Sequence, residues 1–597
     1  MSRWQLSSPD GRIRLSVGLN EAGSLCYEAE KDGVTLLAPF TLGLETDRQS
    51  FSEQLNVRHA ETGQIRESYT MPHGSRKTHD YLANELILHA ERNGEPIQLH
   101  LRASDDGIAY RFEVPASGRT SVVSERSGFT LAPEVFMNVW AQKLMKCYER
   151  TYDLHMPEHM VEDPFAFPML LQCGGHGWML LTEAAVYGTY CASHLRRSDT
   201  DIRTFVTCFP PDQSAPVQAD SPLQTPWRVA ILANDLDRIV NSSLVLHLNP
   251  PSELEDTSWI RPGRAAWSWY SDGASCGNMD IQKAYVDFAA EFGWEYSLVD
   301  GGWDRGELDV PELVRYGRDK GVGIWLWSHY RDLKEPAQCE KTLALWANWG
   351  IVGVKVDFFD SDSQDVLRAY DTIAGIAADH RLMVNYHGST KPSGEQRRWP
   401  HVMTREGIYG AEYWRNISEG PNAVHNCTVP FIRNAVGSMD YTPVTFSRQT
   451  RTSHCHQLAL SVVFESAVQH FADSMEAYRT SVAHSFLRQV PAAWDESRLL
   501  EGFPGRFVTM ARRDGEDWFV GAICAAAGRT ATIDLDFLTP GSVYEAEIYE
   551  EEFDEGEEYR FRRATDMTVR TQRVTSFEVL RLPMKVYGGC AIRLTLQ

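Results

Sequence analysis

The feature that most constrains the fold is a regular alternation between about Trp259 and Pro491. Six short apolar runs recur there: Ala265–Tyr270, Tyr296–Asp300, Gly323–Trp327, Val352–Asp357, Leu382–Tyr386 and His401–Glu406. Helix-like stretches such as Gln282–Glu291 and Asp365–Ala378 separate them. Two weaker candidates, Ser438–Tyr441 and Gln469–Ala472, bring the predicted strands to eight. A parallel pair of strands needs a long crossover, whereas an antiparallel pair can be joined by a tight turn. Repeated strand–helix units therefore predict parallel strands, and eight of them predict a (β/α)8 TIM barrel. An open doubly wound sheet would bring a Gly-rich phosphate loop after an early strand. None is present.

The segments on either side read differently. Up to about residue 255, Gly, Pro, Asn and Asp punctuate the chain between alternating runs such as Gly11–Val17, Glu85–Ala90 and Ile97–Arg102. Period two over many short segments predicts a large antiparallel β-super-sandwich. Pro250-Pro251 and the acidic stretch Glu253–Asp256 read as the linker out of it. After Pro491 short strands return, at Phe507–Ala511, Trp518–Ile523, Ala531–Asp536 and Ala591–Leu596. The predicted organisation is thus an N-terminal β-super-sandwich over 1–255, a catalytic barrel over 256–496 and a C-terminal β-sandwich over 497–597. A chain of 597 residues is too long for one core, which agrees with this division.

In a TIM barrel the chemistry gathers at the C-terminal ends of the strands. Those positions hold Asp300 and Trp303 after the second predicted strand, and Lys355 and Asp357 at the end of the fourth. They hold His387 and Gly388 after the fifth, Glu406 and then Glu412 after the sixth, and Asp473 after the eighth. Two carboxylates flanking one bond are what glycoside hydrolysis requires: one protonates the leaving oxygen, the other attacks C1 or activates water. Asp357 and Glu412, on strands two apart, can face each other across the mouth. Asp360, Ser361 and Asp362 fit the capping of the next helix better than Asp357 does.

Other readings fall away. Asp360–Asp365 begins like a calcium-binding EF-hand loop but lacks the Gly at its sixth position and the Glu at its twelfth. His454-Cys-His456 has no partner spacing for a metal and reads as the start of a packed helix. The acidic run Glu550–Glu558 reads as a solvated hairpin. With 81 Asp and Glu against 58 Lys and Arg, the net charge of −23 argues against nucleic acid as a partner. A neutral substrate fits better, and an 11% aromatic content with 17 Trp suits the stacking of sugar rings. No apolar run is long enough to span a membrane, and no signal-like segment opens the chain. The 11 Cys lack any CxxC pair and read as reduced thiols. The expected location is cytoplasmic, or periplasmic if a signal has been removed.

Several motifs together resemble glycoside hydrolase family 97. They are Gly353–Phe358 (GVKVDF), Asn385–Gly388 (NYHG), Lys391–Gly394 (KPSG), Thr404–Tyr413 (TREGIYGAEY), Met439–Pro443 (MDYTP) and Pro491–Gly502. The resemblance implies a calcium-dependent, exo-acting α-glycosidase with the three domains read above. Inverting members of that family place a Glu base where this chain has Gly388; retaining members carry an Asp nucleophile where it has Asp357. The resemblance therefore implies a retaining α-galactosidase acting on α-linked galactosyl glycosides, with Asp357 as nucleophile and Glu412 as acid/base. An α-glucoside or an arabinopyranoside is the alternative substrate, and a non-catalytic carbohydrate-binding protein is the alternative of a different class, opposed by the presence of both candidate carboxylates. It also implies Ca²⁺ held by Glu183, Glu406 and Glu412. Lys355 and His387 are expected to bind sugar hydroxyls, and Trp269, Asp300 and Trp303 to line the mouth.

Overall fold

In the computed structural model the described residues are 3–597, apart from 116–117, 136, 157–158, 161–163, 221, 416–419, 526–527 and 553–566. The alternation after Trp259 forms a parallel sheet curled into a barrel. Its strands are β1 (Gly263–Trp267), β2 (Tyr296–Val299), β3 (Gly323–His329), β4 (Gly353–Asp357), β5 (Met383–Tyr386), β6 (Val402–Arg405) and β7 (Val468–Phe471). Neighbours pair in sequence order from β1 to β6, and β7 returns to pair with β1.

The barrel has one opening in its ladder, between β6 and β7. The eighth strand expected at Ser438–Tyr441 is reduced to one parallel bridge between Arg405 and Met439, with Asp440 N–H donating to the Arg405 carbonyl at 2.9 Å. Thr442 and Val444 take left-handed backbone angles, φ 56° and 70°, so the chain cannot stay extended there. Asp440, just before the bend, is buried behind the mouth against His387 and His470.

Helices wrap the strands where local signals tell them to. Asn278 caps the helix Met279–Phe292 by accepting from Ile281 N–H, and Gly293 ends it in a left-handed turn. Asp309 caps Val310–Lys320, with Pro311 in its first turn and Gly321 at its end. Their apolar faces pack on the outer side of β1 to β3 and join Ile324, Val354, Val356 and Val384 in one buried cluster. Period two then turns Lys355 and Asp357 to the opposite face of β4, toward the barrel axis.

The N-terminal domain is a large antiparallel system from Arg3 to Ala233, held by ladders such as Asn56–Thr70 with Thr78–Arg92 and Trp178–Ala184 with Trp227–Ala233. Helices Leu236–Val240 and Leu244–His247 lead from it to β1. The C-terminal domain starts with the strand Glu496–Phe503 and stacks a six-stranded sheet on a two-stranded one, around Trp518, Val520, Ile533 and Ile592.

Three smaller expectations resolve here. His456 is a packed helix residue, its ring nitrogens facing the Gly588 carbonyl and the Asn426 amide. All 11 Cys are unpaired. Of the acidic run, residues 553–558 lie outside the described residues; Glu551 is buried rather than solvated, on the strand Tyr544–Glu551. Among the described residues no helix is long and apolar enough to cross a membrane.

Candidate active site

A cavity of about 1330 Å³ opens at the C-terminal end of the barrel strands. Seven expected residues line it: Trp269, Asp300, Lys355, Asp357, His387, Glu406 and Glu412. Asp357 ends β4. Its Oδ2 accepts from Trp327 Nε1 at 3.0 Å and its Oδ1 from the Phe358 N–H at 2.7 Å. Burial raises its pKa, and the cationic His387 and Lys355 oppose that rise.

Lys355 lies one pleat deeper on the same strand. Its Nζ meets Asp300 Oδ2 at 2.9 Å and Glu412 Oε1 at 3.6 Å, and sits 4.8 Å from the Trp267 ring centre. Burial works against its charge, but Asp300 and Glu412 outweigh it and hold the pKa well above the usual lysine value. Trp267 Nε1 donates to the same Asp300 oxygen at 2.8 Å, which fixes that carboxylate. Trp269 stacks on Trp267 at 5.6 Å and carries the Arg415 guanidinium on its ring.

His387, just past β5, has carboxylates on both sides. Nε2 lies 2.7 Å from Asp440 Oδ2; Nδ1 lies 3.3 Å from Glu406 Oε2 and 3.6 Å from Glu412 Oε1. Burial opposes protonation, but Glu406 and Asp440 outweigh it and hold the pKa well above the ordinary value, which favours the protonated ring. Asp440 in turn is held well below the usual range: burial is outweighed by His470 and His387. Glu406 also stays ionised, since His387 and the Gly388 N–H, 2.8 Å from its Oε2, overcome burial.

Glu412 is different. Burial, with Glu406 and Asp300 nearby, pushes its pKa up to about 7 despite Lys355 and His387. Its Oε1 is closed off from solvent and makes no hydrogen bond. A carboxyl with that pKa can give a proton in one step and take it back in the next.

Two expected residues lie elsewhere. Glu183 is buried inside the N-terminal domain. Its Oε1 accepts from Ser193 N–H at 2.9 Å and from Lys391 Nζ, and its Oε2 accepts from Arg228. Both oxygens are committed to cations, so Glu183 is a structural ion pair and not a metal ligand in this arrangement. Trp303 turns away from the cavity, donates to the Trp327 carbonyl at 3.0 Å and packs edge-on against Trp346. Trp327 takes the place expected for it.

The carboxylate that the N-terminal domain does send into the cavity is Glu149. Its loop follows the strand Asn138–Lys143, and two successive left-handed residues, Cys147 (φ 57°) and Tyr148 (φ 63°), turn it inward. Tyr413 O–H donates to Glu149 Oε2 at 2.5 Å. Burial and the nearby Glu406 push the Glu149 pKa up to about 9. Glu149, Asp440 and Trp327 were all missed in sequence. Asp440 lay inside a recognised motif, and Trp327 ended a predicted strand; Glu149 had no such signal.

Oxygen-rich, crowded and anionic, the group Glu149, Glu406 and Glu412 suits a hard divalent cation. Glu406 and Glu412 bring carboxylate oxygens within 4.8 Å of each other, and Glu149 lines the same cavity, close enough for both to raise its pKa. The raised pKa values of Glu149 and Glu412 and the unbonded Glu412 Oε1 are what such a group shows when the balancing charge is not supplied by the chain.

Gly388 gives the geometry its direction. With φ at +50°, a Cβ added there would lie 2.8 Å from Phe358 N, 2.9 Å from Phe358 Cα and 3.2 Å from Asp357 Oδ1. The backbone after Asp357 fills the space that a longer residue at 388 would need.

Comparisons with known proteins agree with this architecture along the chain. Residues 6–251 match the family described as Glycosyl-hydrolase 97 N-terminal, residues 259–408 match Glycoside hydrolase 97, and residues 493–595 match Glycosyl-hydrolase 97 C-terminal, oligomerisation. A probable retaining alpha-galactosidase of Streptomyces bingchenggensis (strain BCW-1) is 37% identical over 557 residues, covering 89% of this chain and 85% of that protein. A retaining alpha-galactosidase of Bacteroides thetaiotaomicron is 28% identical, covering 92% and 91%. The crystal structure of a beta-arabinopyranosidase superposes with a TM-score of 0.90 at 27% identity, over 99% of this chain and 100% of that one. A family 97 enzyme from Pseudoalteromonas sp. strain K8, in complex with acarbose, shares the fold at 24% identity and a TM-score of 0.90, over the full length of both chains. With a strand-end carboxylate, a facing carboxyl and the matched domains on either side, the chain belongs to glycoside hydrolase family 97 and is a glycosidase.

Proposed function

We propose that the enzyme is a retaining exo-α-galactosidase that works by double displacement through a galactosyl ester on Asp357. The observation that carries this reading is the packing of Asp357 and Phe358 against Gly388. An inverting site needs about 6.5–9.5 Å between carboxyls to hold a water, whereas a retaining one needs about 5–5.5 Å. A base on residue 388 would collide with the segment carrying Asp357, and this supports direct attack by Asp357 over activation of a water.

In the first half-reaction the Glu412 carboxyl donates its proton to the glycosidic oxygen while Asp357 attacks C1, and the aglycone leaves as an alcohol. In the second, the Glu412 carboxylate takes a proton from water as that water attacks C1, and Asp357 is released. Lys355 and His387, both cationic and buried, donate to sugar hydroxyls and hold the ring against the nucleophile. Trp327 N–H and the Phe358 N–H fix the Asp357 carboxylate in place. Glu149, Glu406 and Glu412 would hold the calcium ion, which supplies positive charge beside the acid/base and polarises a substrate hydroxyl.

A galactosyl glycone is supported by the two relatives named as retaining alpha-galactosidases. The likeness to a beta-arabinopyranosidase supports a second reading, since a β-L-arabinopyranoside has the ring stereochemistry of an α-D-galactoside without the C6 arm. Proton NMR of early hydrolysis of p-nitrophenyl α-galactoside tests the proposal. First-formed α-galactose is expected, and lost on chelation. First-formed β-galactose would overturn retention, and turnover of the arabinopyranoside alone would move the substrate to the second reading.

A further inference from the structure

The longest hairpin of the N-terminal domain pairs Asn56–Thr70 with Thr78–Arg92. Among the described residues its first strand forms a ladder with the second alone, and most of its side chains are exposed, so it is an open edge. In the register of this ladder His59 lies directly opposite His89, and Glu61 follows His59 by two residues on the same face. The two imidazoles stack with centroids 4.0 Å apart and planes 9° apart. Both Nε2 atoms converge on one carboxylate oxygen: His59 at 3.0 Å and His89 at 3.2 Å from Glu61 Oε1. The His89 Nε2 is closed off from solvent, yet it is not aligned for a hydrogen bond.

We propose that His59, Glu61 and His89 form a binding site for a zinc-type divalent cation, with water as the fourth ligand. Two imidazoles and one carboxylate around an open position are a ligand set that zinc takes readily. With bonds of about 2.0–2.1 Å, tetrahedral ligand atoms lie about 3.3–3.4 Å apart. The two separations on Glu61 fall within a few tenths of an ångström of that, and all three ligand atoms lie within 4.8 Å of one another; the nitrogen lone pairs run parallel in the stack, so the two rings would splay apart on binding to meet at one ion. A register bulge between Val57 and His59 brings the first imidazole over the second. The donor set differs in kind from the oxygen-rich cluster at the barrel mouth. Imidazole nitrogen selects borderline cations such as Zn²⁺, Cu²⁺ and Ni²⁺ over Ca²⁺ and Mg²⁺. A bound ion would tie the free edge strand to its one neighbour and oppose fraying or pairing with another chain.

The test is a zinc titration of the full-length enzyme in excess Ca²⁺, so that the barrel mouth is competed, against a His59→Gln/His89→Gln double variant. Both rings lie at the surface, and the variant is checked for an unchanged melting temperature without metal. The wild type is expected to bind one more equivalent of Zn²⁺ than the variant, and zinc is expected to raise the melting temperature of the wild type only. A Glu61→Gln variant should weaken that equivalent without abolishing it. Equal zinc stoichiometry in the wild type and the double variant would overturn the proposal.

Discussion

The enzyme carries two buried carboxylate clusters, and their contrast shows how function is read from charge balance. In the N-terminal domain Glu183 and Glu125 flank Arg228, with Lys391 reaching in from the barrel. Two acids meet two bases, and both oxygens of Glu183 are hydrogen-bonded. At the barrel mouth Asp300, Asp357, Glu406, Glu412 and Glu149 outnumber Lys355 and His387. There Glu412 keeps an unbonded oxygen, and two carboxyls are forced toward protonation. The balanced cluster holds domains together; the unbalanced one is open to a substrate and is short of positive charge, which is where the proposed cation would sit.

The sharpest way to break this comparison is to remove one acid from each cluster. Asp357→Asn should lower kcat by about 10⁴-fold or more, roughly 5 kcal/mol in the barrier, with the melting temperature close to wild type. Steady-state kinetics beside thermal unfolding checks it. Glu183→Gln should do the opposite. Leaving Lys391 without its carboxylate, and Arg228 with Glu125 alone, should cost about 3–5 kcal/mol of stability, read by denaturant unfolding, while the folded fraction keeps its kcat.

Glu551 asks whether imbalance alone marks function. It lies outside the cavity, and burial raises its pKa to about 7, with Ser453 and Lys585 recovering only part of that rise. The folded state therefore binds a proton that the unfolded chain releases above about pH 4.5. Stability should fall as pH rises from about 4.5 to 7, by up to roughly 3 kcal/mol. Glu551→Gln should remove that contribution to the slope and leave activity unchanged, which unfolding at several pH values will test.

The smallest expected stability effect belongs to Glu149→Gln. With a pKa pushed up to about 9 the side chain is already neutral at pH 7 when no cation is bound, so the amide mimics it. Stability without calcium should change by less than about 1 kcal/mol, whereas the gain in melting temperature on adding calcium should shrink sharply. Calorimetric scans of both proteins with calcium and with chelator measure this. A full calcium response in the variant would place the ion elsewhere.

The barrel was legible because its strands are apolar runs between capped helices, and Asp357 because period two aims every second residue of β4 inward. Ser438–Tyr441 misled because an apolar run does not reveal the left-handed Thr442 and Val444 that bend it. Glu183 misled for another reason. Its partners are 45 and 208 residues away, joined only by sheet register and domain packing. Glu149 was invisible because it sits in an irregular loop whose direction is set by two strained residues, not by a period. Trp303 was placed correctly along the chain, but side-chain direction in a short turn follows no repeat.

The most direct test of the central claim is the product formed by Asp357→Ala from p-nitrophenyl α-galactoside in the presence of azide. The cavity left by the missing carboxylate should admit azide to the face from which Asp357 attacks. The predicted result is negligible hydrolysis without azide and recovery with it, the product being β-galactosyl azide. Hydrolysis at a near-normal rate without azide, or an azide product of retained configuration, would contradict the assignment of Asp357 as the nucleophile.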